Sequence, residues 1–476
     1  MLDLFKYDYA NLSTLDILSI VNTVITAFFG VLLFYRTVFM IVGLFVKTKF
    51  PDAKKEHSYA FLISARNESA VIGNLIDSIK RQRYPSDKIK IFVVADNCTD
   101  DTAQICRDLG CVVYERFDDK HIGKGYALKF LTAHIQEDFG MTSFDGYFVF
   151  DADNLLSGDY VSQMNKAFDC GNKIVTSYRN VKNFGTNFIS ASYGYYQYRT
   201  IRTMHIPRTK LNLSGTVNGT GFLVSSELLA NGWRWELITE DIEFFVDNTL
   251  NGYQVVFCQD AEFFDEQPVT LKMMWRQRVR WAKGYLMVFA SHFGRILKSL
   301  FTPEKINARR AEGHTNQNKL QRKFTYYDIM CQILPTPLIL FIWQLIYYIA
   351  ILTVSLTGGT AVGAAFASLG IACAKSAVQL YIVTIIQLIP VIICEWKKMV
   401  CHPLAKIFYM FAFPFFDLLN MPITLTALVT KASWKPIVHS DASTIDKIDG
   451  LNEKYNKKKD RKVEKKKRKN KDLIQT

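Results

Sequence analysis

Apolar residues run almost unbroken from 18 to 46, with Arg36 the lone charge. That stretch is long enough to cross a bilayer core, which takes roughly 20 helical residues. Lys47, Lys49, Lys54 and Lys55 follow it, and this clustering predicts a cytoplasmic end after the span and an outer face for the acidic N-terminus. From Tyr59 to about Glu266 the pattern changes. Short apolar runs end in polar turns and alternate with stretches of helical periodicity. "YAFLISARNE" reads as a strand closing on a turn, and Glu68 to Gln82 places Val71, Leu75 and Ile79 on one helical face. "IKIFVVAD", "CVVYERF" and "GYFVFDADN" read as further strands, with a helix over Thr102 to Leu109. Such alternation predicts a mostly parallel sheet with ligands at the carboxyl ends of its strands.

Residues 184–206 and 270–300 mix Met, Trp and Leu with Lys and Arg, which suits amphipathic helices lying in a membrane interface. Residues 303–325 are polar and basic and are expected to form a mobile cytoplasmic loop. Residues 329–355 predict a span despite Pro335 and Pro337. Residues 361–394 are long for one span and short for two, so a hairpin and a single long helix both stay open. Residues 404–430 hold Pro414, Asp417 and Pro422, and fit either an interface helix followed by a span or one broken span. A cytoplasmic tail requires an even number of crossings after the catalytic domain, and three apolar blocks give the wrong parity.

With 476 residues the chain has room for one catalytic domain and a membrane region. Its net charge of +14 gathers in the tail, Lys454 to Lys471. Beside a membrane domain, such a run points to anionic lipid or cytoplasmic retention rather than to nucleic acid. The nine cysteines are scattered without a CxxC pair, which argues against a thiolate metal site and for a reducing compartment. Asp3, Asp8 and Asp16 precede the first apolar stretch, so no basic secretory leader is expected.

Chemistry-bearing residues sit at the strand ends. Asp151 and Asp153 follow "GYFVF". In an extended segment they point the same way, and hard carboxylate oxygens suit Mg2+ or Mn2+ on a diphosphate. Asp96 is a candidate acceptor from a base or ribose, while the neighbouring acids suit an Asx turn or helix cap. Ala65 permits close ligand approach, and Asn67 and Glu68 share its strand end. Lys124 lies between Gly123 and Gly125, where backbone and charge can meet phosphate. Asp241 is the candidate base for an acceptor hydroxyl. On a helix, Gln277, Arg280 and Trp281 share one face by the i+3/i+4 rule, with Arg278 directed elsewhere. Arg280 suits a departing diphosphate, and Trp281 suits stacking on a sugar.

This set resembles the membrane-integrated family 2 glycosyltransferases, the processive inverting synthases of cellulose, chitin, hyaluronan and poly-N-acetylglucosamine. The resemblance rests on Asp96, Asp151/Asp153, Thr239-Glu240-Asp241 and Gln277-Arg278-Val279-Arg280-Trp281, and covers roughly residues 20–430. It implies an α/β GT-A-like domain with a mostly parallel mixed sheet, inserted between transmembrane helices. Implied donor contacts are Ala65, Asn67, Glu68, Asp96, Lys124, Asp151, Gln277, Arg278 and Arg280. Implied catalytic residues are Thr239, Glu240 and Asp241. "NGTGFLVSSELL" resembles the segment lining the acceptor site, so Asn218, Gly219, Thr220 and Gly221 join Trp281 there. Asp151 and Asp153 would hold Mg2+ or Mn2+.

The domain plan expected is 1–56 with the first span, 57–267 catalytic, 268–328 interface helices and polar loop, 329–432 membrane region, and 433–476 basic tail. The expected activity is processive transfer of glucose from UDP-glucose to a β-glucan, coupled to translocation across a bacterial plasma membrane, with the catalytic domain cytoplasmic. An amino-sugar polymer (poly-N-acetylglucosamine, chitin or hyaluronan) from UDP-N-acetylglucosamine is the alternative. A transporter or scaffold with an inactive transferase domain is the reading from another class. Expected partners are the UDP-sugar, the polysaccharide and membrane lipid, with a monomer and a homo-oligomer both left open; nucleic acid is not expected.

Overall fold

The computed structural model describes residues 12–359, 361–431 and 441–451. The acidic extreme N-terminus and the basic run from Lys454 lie outside the described residues. Helix α1 (Thr14–Leu33) opens on a Ser13 capping box and continues, after a break at Phe34, into α2 (Tyr35–Phe45). The single span anticipated at 18–46 is therefore two helices.

The sheet domain follows as strands β1 (Tyr59–Ala65), β2 (Ile89–Asp96), β3 (Val112–Arg116), β4 (Gly146–Asp151), β5 (Leu155–Leu156), β6 (Ile174–Val181), β7 (Phe222–Ser225) and β8 (Val255–Asp265). They form one eight-stranded sheet in the order β3-β2-β1-β4-β7-β6-β8-β5. β1 pairs in parallel with both β2 and β4, β2 with β3 and β6 with β8, while β7 and the two-residue β5 run antiparallel to their neighbours. β1, β2 and β4 are apolar almost throughout because both faces are covered. α3 (Ile72–Lys80), α4 (Thr102–Asp108) and α6 (Tyr160–Asp169) flank the sheet together with α5 (Lys124–Asp138) and α9 (Glu240–Leu250). α3 begins four residues later than periodicity suggested, because Glu68 to Val71 are used in a turn.

α7 (Phe188–Thr200) runs through a wider π-type turn at Ile201–His205 into α8 (Ile206–Lys210). Eight residues of α7 are buried; it is sandwiched between the sheet domain and later membrane helices, not spread on a free interface. α10 (Leu271–Phe301) is the long helix expected at 270–300.

The polar stretch expected as a mobile loop is instead α11 (Glu304–Ala311) and the start of α12 (Lys319–Ile333). Asn307 is fully buried, and Lys323 Nζ donates to the Leu300 carbonyl at the end of α10. These contacts pin the segment down. The span anticipated at 329–355 breaks at Pro335 and resumes as α13 (Thr336–Thr357), because proline disfavours helix in the residue before it. α14 (Val362–Glu395) is one continuous helix, so the hairpin alternative falls away. Its 34 residues extend about 51 Å, more than a core of about 30 Å requires. α15 (Pro403–Leu418) and α16 (Asn420–Val429) complete the chain's apolar helices. Among the described residues, four stretches are long and apolar enough to cross a membrane: α1, α13, α14 and Pro403–Val429.

Two buried ion pairs tie α12 and α14 to the helical segment between β6 and β7. Asp328 of α12 accepts from Arg208 Nε at 2.6 Å and from the Tyr35 hydroxyl at 2.8 Å. Glu395 at the end of α14 accepts from Arg202 and from the Tyr178 hydroxyl.

Candidate active site

The carboxyl ends of β1, β2 and β4 open into a cleft of about 1450 Å³ of solvent-connected space. α10 forms a further wall of it. Ala65 and Glu68 line it from the end of β1, Asp96 from β2, and Asp151 and Asp153 from β4. Parallel strands deliver these residues to one edge because their starts are in register: Tyr59 lies opposite both Ile89 and Gly146.

Asp96 is buried and accepts from Arg116 Nη1 at 2.6 Å. Burial pushes its carboxyl above the usual range, and Arg116 pulls against that. The nearby acids divide the work: Asp100 caps α4 by accepting from Thr102 N–H at 3.1 Å. Asn67, expected at the donor, instead closes the loop. It takes a left-handed φ of 57°, and its Oδ1 accepts from Thr99 N–H at 2.8 Å.

β4 ends at Asp151 and the chain turns at Ala152 and Asp153, so the pair is not carried on extended backbone. Both carboxylates still line the cleft. Asp151 receives Lys124 Nζ, which also donates to the Gly219 carbonyl at 2.7 Å. Asp153 Oδ2 accepts from Glu266 N–H at 3.1 Å, and its Oδ1 from Asn154 Nδ2 at 3.0 Å. Among the described residues no cluster of three His, Cys, Asp or Glu side chains can hold a metal. Two carboxylates at the cleft are a partial oxygen set, which fits a hard divalent ion whose remaining ligands come from diphosphate and water.

Two helix N-termini face the cleft. α5 begins at Lys124 and α9 at Glu240. They approach closely at Gly125, where a Cβ would sit 2.4 Å from the Trp235 carbonyl oxygen. Burial raises the carboxyls of Glu240 and Asp241, and the Asp241 charge pushes Glu240 further up. Backbone N–H groups of the first turn of α9 and the Lys124 ammonium work against burial at Asp241. A Cβ on Gly219 would lie 3.8 Å from Asp241 Oδ2, so this glycine borders the base candidate.

On α10, Gln277, Arg280, Trp281 and Tyr285 line the cleft. Burial lowers the Arg280 guanidinium from its ordinary value. Trp281 meets Tyr193 edge-on at 6.0 Å. Gly284 lets α10 press onto the Thr239-Glu240-Asp241 segment, since a Cβ there would lie 2.2 Å from Thr239. Gln277 Oε1 and Thr239 Oγ1 are buried without a hydrogen-bond partner among the described residues.

Besides Asn67, three residues that the resemblance implies at the cleft lie elsewhere, Arg278 among them as its helical spacing predicts. Arg278 does not reach the cleft: its Nη1 donates to the Phe416 carbonyl at 3.0 Å, its Nη2 to Asn420, and its guanidinium covers the Phe416 ring at 4.0 Å. Thr220 lies beneath the cleft, accepting from Asp151 N–H at 2.9 Å and donating to Asn154. Gly221, at φ 68°, packs on the Phe263 ring, where a Cβ would be 2.1 Å away. Asn218 and Gly219 do line the cleft.

Sequence reasoning missed Arg179, Tyr196, Gln197, Asp265, Glu266 and Tyr285, all of which line it. Tyr285 follows Trp281 by four residues, so helical spacing carried that signal. Arg179 donates to the Asn218 carbonyl at 2.9 Å and to Asp265 at 2.7 Å. Nothing local to its strand foretells that.

Residues 57–284, which include every strand of the sheet, match the family described as glycosyltransferase like family 2. A probable glycosyltransferase, YdaM of Bacillus subtilis, is 26% identical over 263 residues, 52% of this chain and 60% of its own length. The β-monoglucosyldiacylglycerol synthase of Synechocystis is 27% identical over 238 residues, 47% of each chain. The poly-β-1,6-N-acetyl-D-glucosamine synthase of Staphylococcus epidermidis is 25% identical over 291 residues, 57% of this chain and 68% of its own. The chain thus spans about half to two thirds of the length of these relatives. A mannosyltransferase of Pyrobaculum calidifontis, solved with GDP-Man and Mn2+, superposes with a TM-score of 0.51 at 18% identity, covering 86% of this chain and 99% of that one. The fold is shared with that transferase.

Proposed function

We propose that the chain is an inverting hexosyltransferase that takes its sugar from a uridine diphosphate donor and delivers it to an acceptor at the membrane. Support comes foremost from one convergence: the strand-end carboxylates, the buried Glu240–Asp241 pair and the Gln277/Arg280/Trp281 face share a single cleft beside apolar helices. The match of residues 57–284 to the glycosyltransferase family agrees with it.

Asp241 takes the proton of an acceptor hydroxyl while that oxygen attacks the anomeric carbon and the bond to the diphosphate breaks. One base suffices for a single displacement, and inversion follows. A carboxyl raised toward neutrality is a stronger base for this step than an ordinary one. Trp281 offers the acceptor sugar a stacking face. Lys124 and Arg280 offset the charge gathering on the departing diphosphate. A divalent ion held by Asp151 and Asp153 would supply further charge compensation there.

For substrate we carry glucose from UDP-glucose into a β-glucan by repeated addition, with UDP-N-acetylglucosamine and an amino-sugar polymer as the alternative. The similarity to a poly-β-1,6-N-acetyl-D-glucosamine synthase supports repeated addition. Single transfer to a diacylglycerol is a second reading, favoured by the similarity to a β-monoglucosyldiacylglycerol synthase. Purified protein in nanodiscs, given Mg2+ or Mn2+ and one UDP-sugar at a time, separates them. High-molecular-weight product from UDP-glucose alone supports the glucan, and product from UDP-N-acetylglucosamine moves the donor. A lipid-extractable monoglycoside establishes the single transfer. Absence of any transfer or UDP release across the donor panel sinks the transferase proposal.

A further inference from the structure

Beyond the last apolar helix the chain comes back to the catalytic domain. Asp441 N–H donates to Glu266 Oε2 at 2.9 Å, and the Ala442 carbonyl accepts from Asn74 Nδ2 at 3.3 Å. Asp446 pairs with Arg81 at 2.9 Å. Residues 445–451 are helical. Ile445 and Ile448, three residues apart on one face, are buried in a cluster with Leu155 of β5 and Phe264 of β8.

That landing place is the weakest edge of the sheet. β5 contributes only the pairs Leu155–Phe264 and Leu156–Phe263 beyond β8, and an edge so short needs cover. It is also the edge next to the chemistry. Phe264 lies under the returning segment, Asp265 receives Arg179, and Glu266 sits in the cleft wall with its N–H on Asp153 Oδ2. The segment therefore holds the side chain of the residue whose backbone aims one of the paired carboxylates.

The same return bears on how the chain crosses the bilayer. If 441–451 and the catalytic domain lie on one side, the chain between α10 and Asp441 crosses an even number of times. α13 and α14 make one pair. The third apolar stretch, Pro403–Val429, is broken at Leu419 and packs on helices that reach the cleft. Tyr195 of α7 donates to the Lys406 carbonyl at 2.6 Å, Arg199 of α7 pairs with Asp417 at 2.6 Å, and Arg278 of α10 donates to the Phe416 carbonyl.

We propose that residues 441–451 are a positioning strap: they hold the end of β8 so that Glu266 keeps Asp153 aimed into the cleft, and their docking leaves Pro403–Val429 along the membrane interface without crossing it. The positioning half rests on the transferase reading; the topology half does not.

Three forms of the protein test the positioning half: one ending after Leu451, one ending after Ser440, and full-length Asp441→Pro, which removes the N–H given to Glu266 together with the carboxylate that accepts from Ser443, read against full-length Asp441→Ala, which removes the carboxylate alone. UDP binding is measured by calorimetry with and without Mn2+. The form ending at Leu451 binds as the full chain does. Loss of the strap weakens Mn2+-dependent binding about tenfold and Asp441→Pro about threefold, both within the net worth of one ordinary hydrogen bond, while Mn2+-independent binding stays unchanged. Equal Mn2+-dependent binding in Asp441→Pro and the full chain overturns the positioning role, even if the shorter form fails to fold. A full chain that binds no UDP with Mn2+ overturns both the donor assignment and this half. For topology, Lys447→Cys is labelled with an impermeant maleimide in sealed vesicles of known orientation, with the exposed Cys170 of the catalytic domain as reference. Labelling together with Cys170 is expected; labelling from the opposite side overturns the strap outright.

Discussion

Two buried charged regions lie in this molecule and behave oppositely. Around Asp328 the charges satisfy one another. Its carboxylate takes two bonds from Arg208 and one each from Tyr35 and Gln332, joining α2, α8 and α12. Arg208 Nη1 alone lacks an acceptor, and the guanidinium lies over the Phe39 ring. In the cleft the opposite holds. Glu240 and Asp241 sit side by side with both carboxyls raised, and Gln277 Oε1, Thr239 Oγ1 and Asp265 Oδ1 are buried without partners. Unpaired buried polar atoms are costly, and these three border the cleft, where a ligand could satisfy them. The first region holds helices together; the second keeps its polar capacity for chemistry.

Substitutions that exchange the costs of the two regions test this contrast. The largest effect is expected from Asp241→Asn. Removal of the base should lower transfer about 10³-fold while the protein folds and melts no lower than the parent does, read by UDP release and thermal unfolding in the same preparation. Near-parental turnover would break the base assignment. Asp328→Asn should do the reverse. It strands Arg208 in the interior and should cost about 3–5 kcal/mol of stability, with turnover per folded molecule little changed at low temperature. Trp281→Ala should raise the acceptor requirement about tenfold, a loss of the order of a stacked aromatic contact, with donor binding kept. A collapse of donor affinity instead would remove Trp281 from the acceptor side.

The smallest effect concerns pH. Glu240 is raised in the fold, so the folded protein holds its proton more tightly than the unfolded chain does. Its contribution to stability is fully present below the ordinary glutamate value of about 4.3 and is lost as pH rises through the raised value. Glu240→Gln should therefore melt higher than the parent at pH 8 by a few degrees, roughly 2–4 °C per kcal/mol, and the gap should close in acid. For Asp241 the same direction of shift places the acid limb of the activity profile above about 3.9, the ordinary aspartate value. A melting gap independent of pH would show that Glu240 is not strained by charge.

How much of this was legible beforehand differs element by element. The strands ending at Ala65, Asp96 and Asp151 follow from runs of apolar residues closed by polar turns, and the shared face of Gln277, Arg280 and Trp281 follows from helical spacing alone. Breaks at Phe34 and Pro335 were obscured because mean apolarity continues across them. The polar stretch 303–325 hides its helices for the converse reason: they are held by specific bonds such as Lys323 to the Leu300 carbonyl, which leave no periodic trace.

The sequence by itself determined the alternation of strands and helices, the apolar stretches long enough for a bilayer, and the chemistry available at each strand end. These depend on residues a few positions apart, whose geometry is set by backbone periodicity. The tertiary structure alone decided that residues from 64 to 285 share one cleft, that Arg278, set apart by helical spacing, finds its partners on α15 and α16, and that glycines at 125 and 284 are close approaches between helices and loops. It alone brought 441–451 back beside Glu266. Such contacts join residues far apart in the chain, and their partners are selected by packing and burial in three dimensions, which no local pattern encodes.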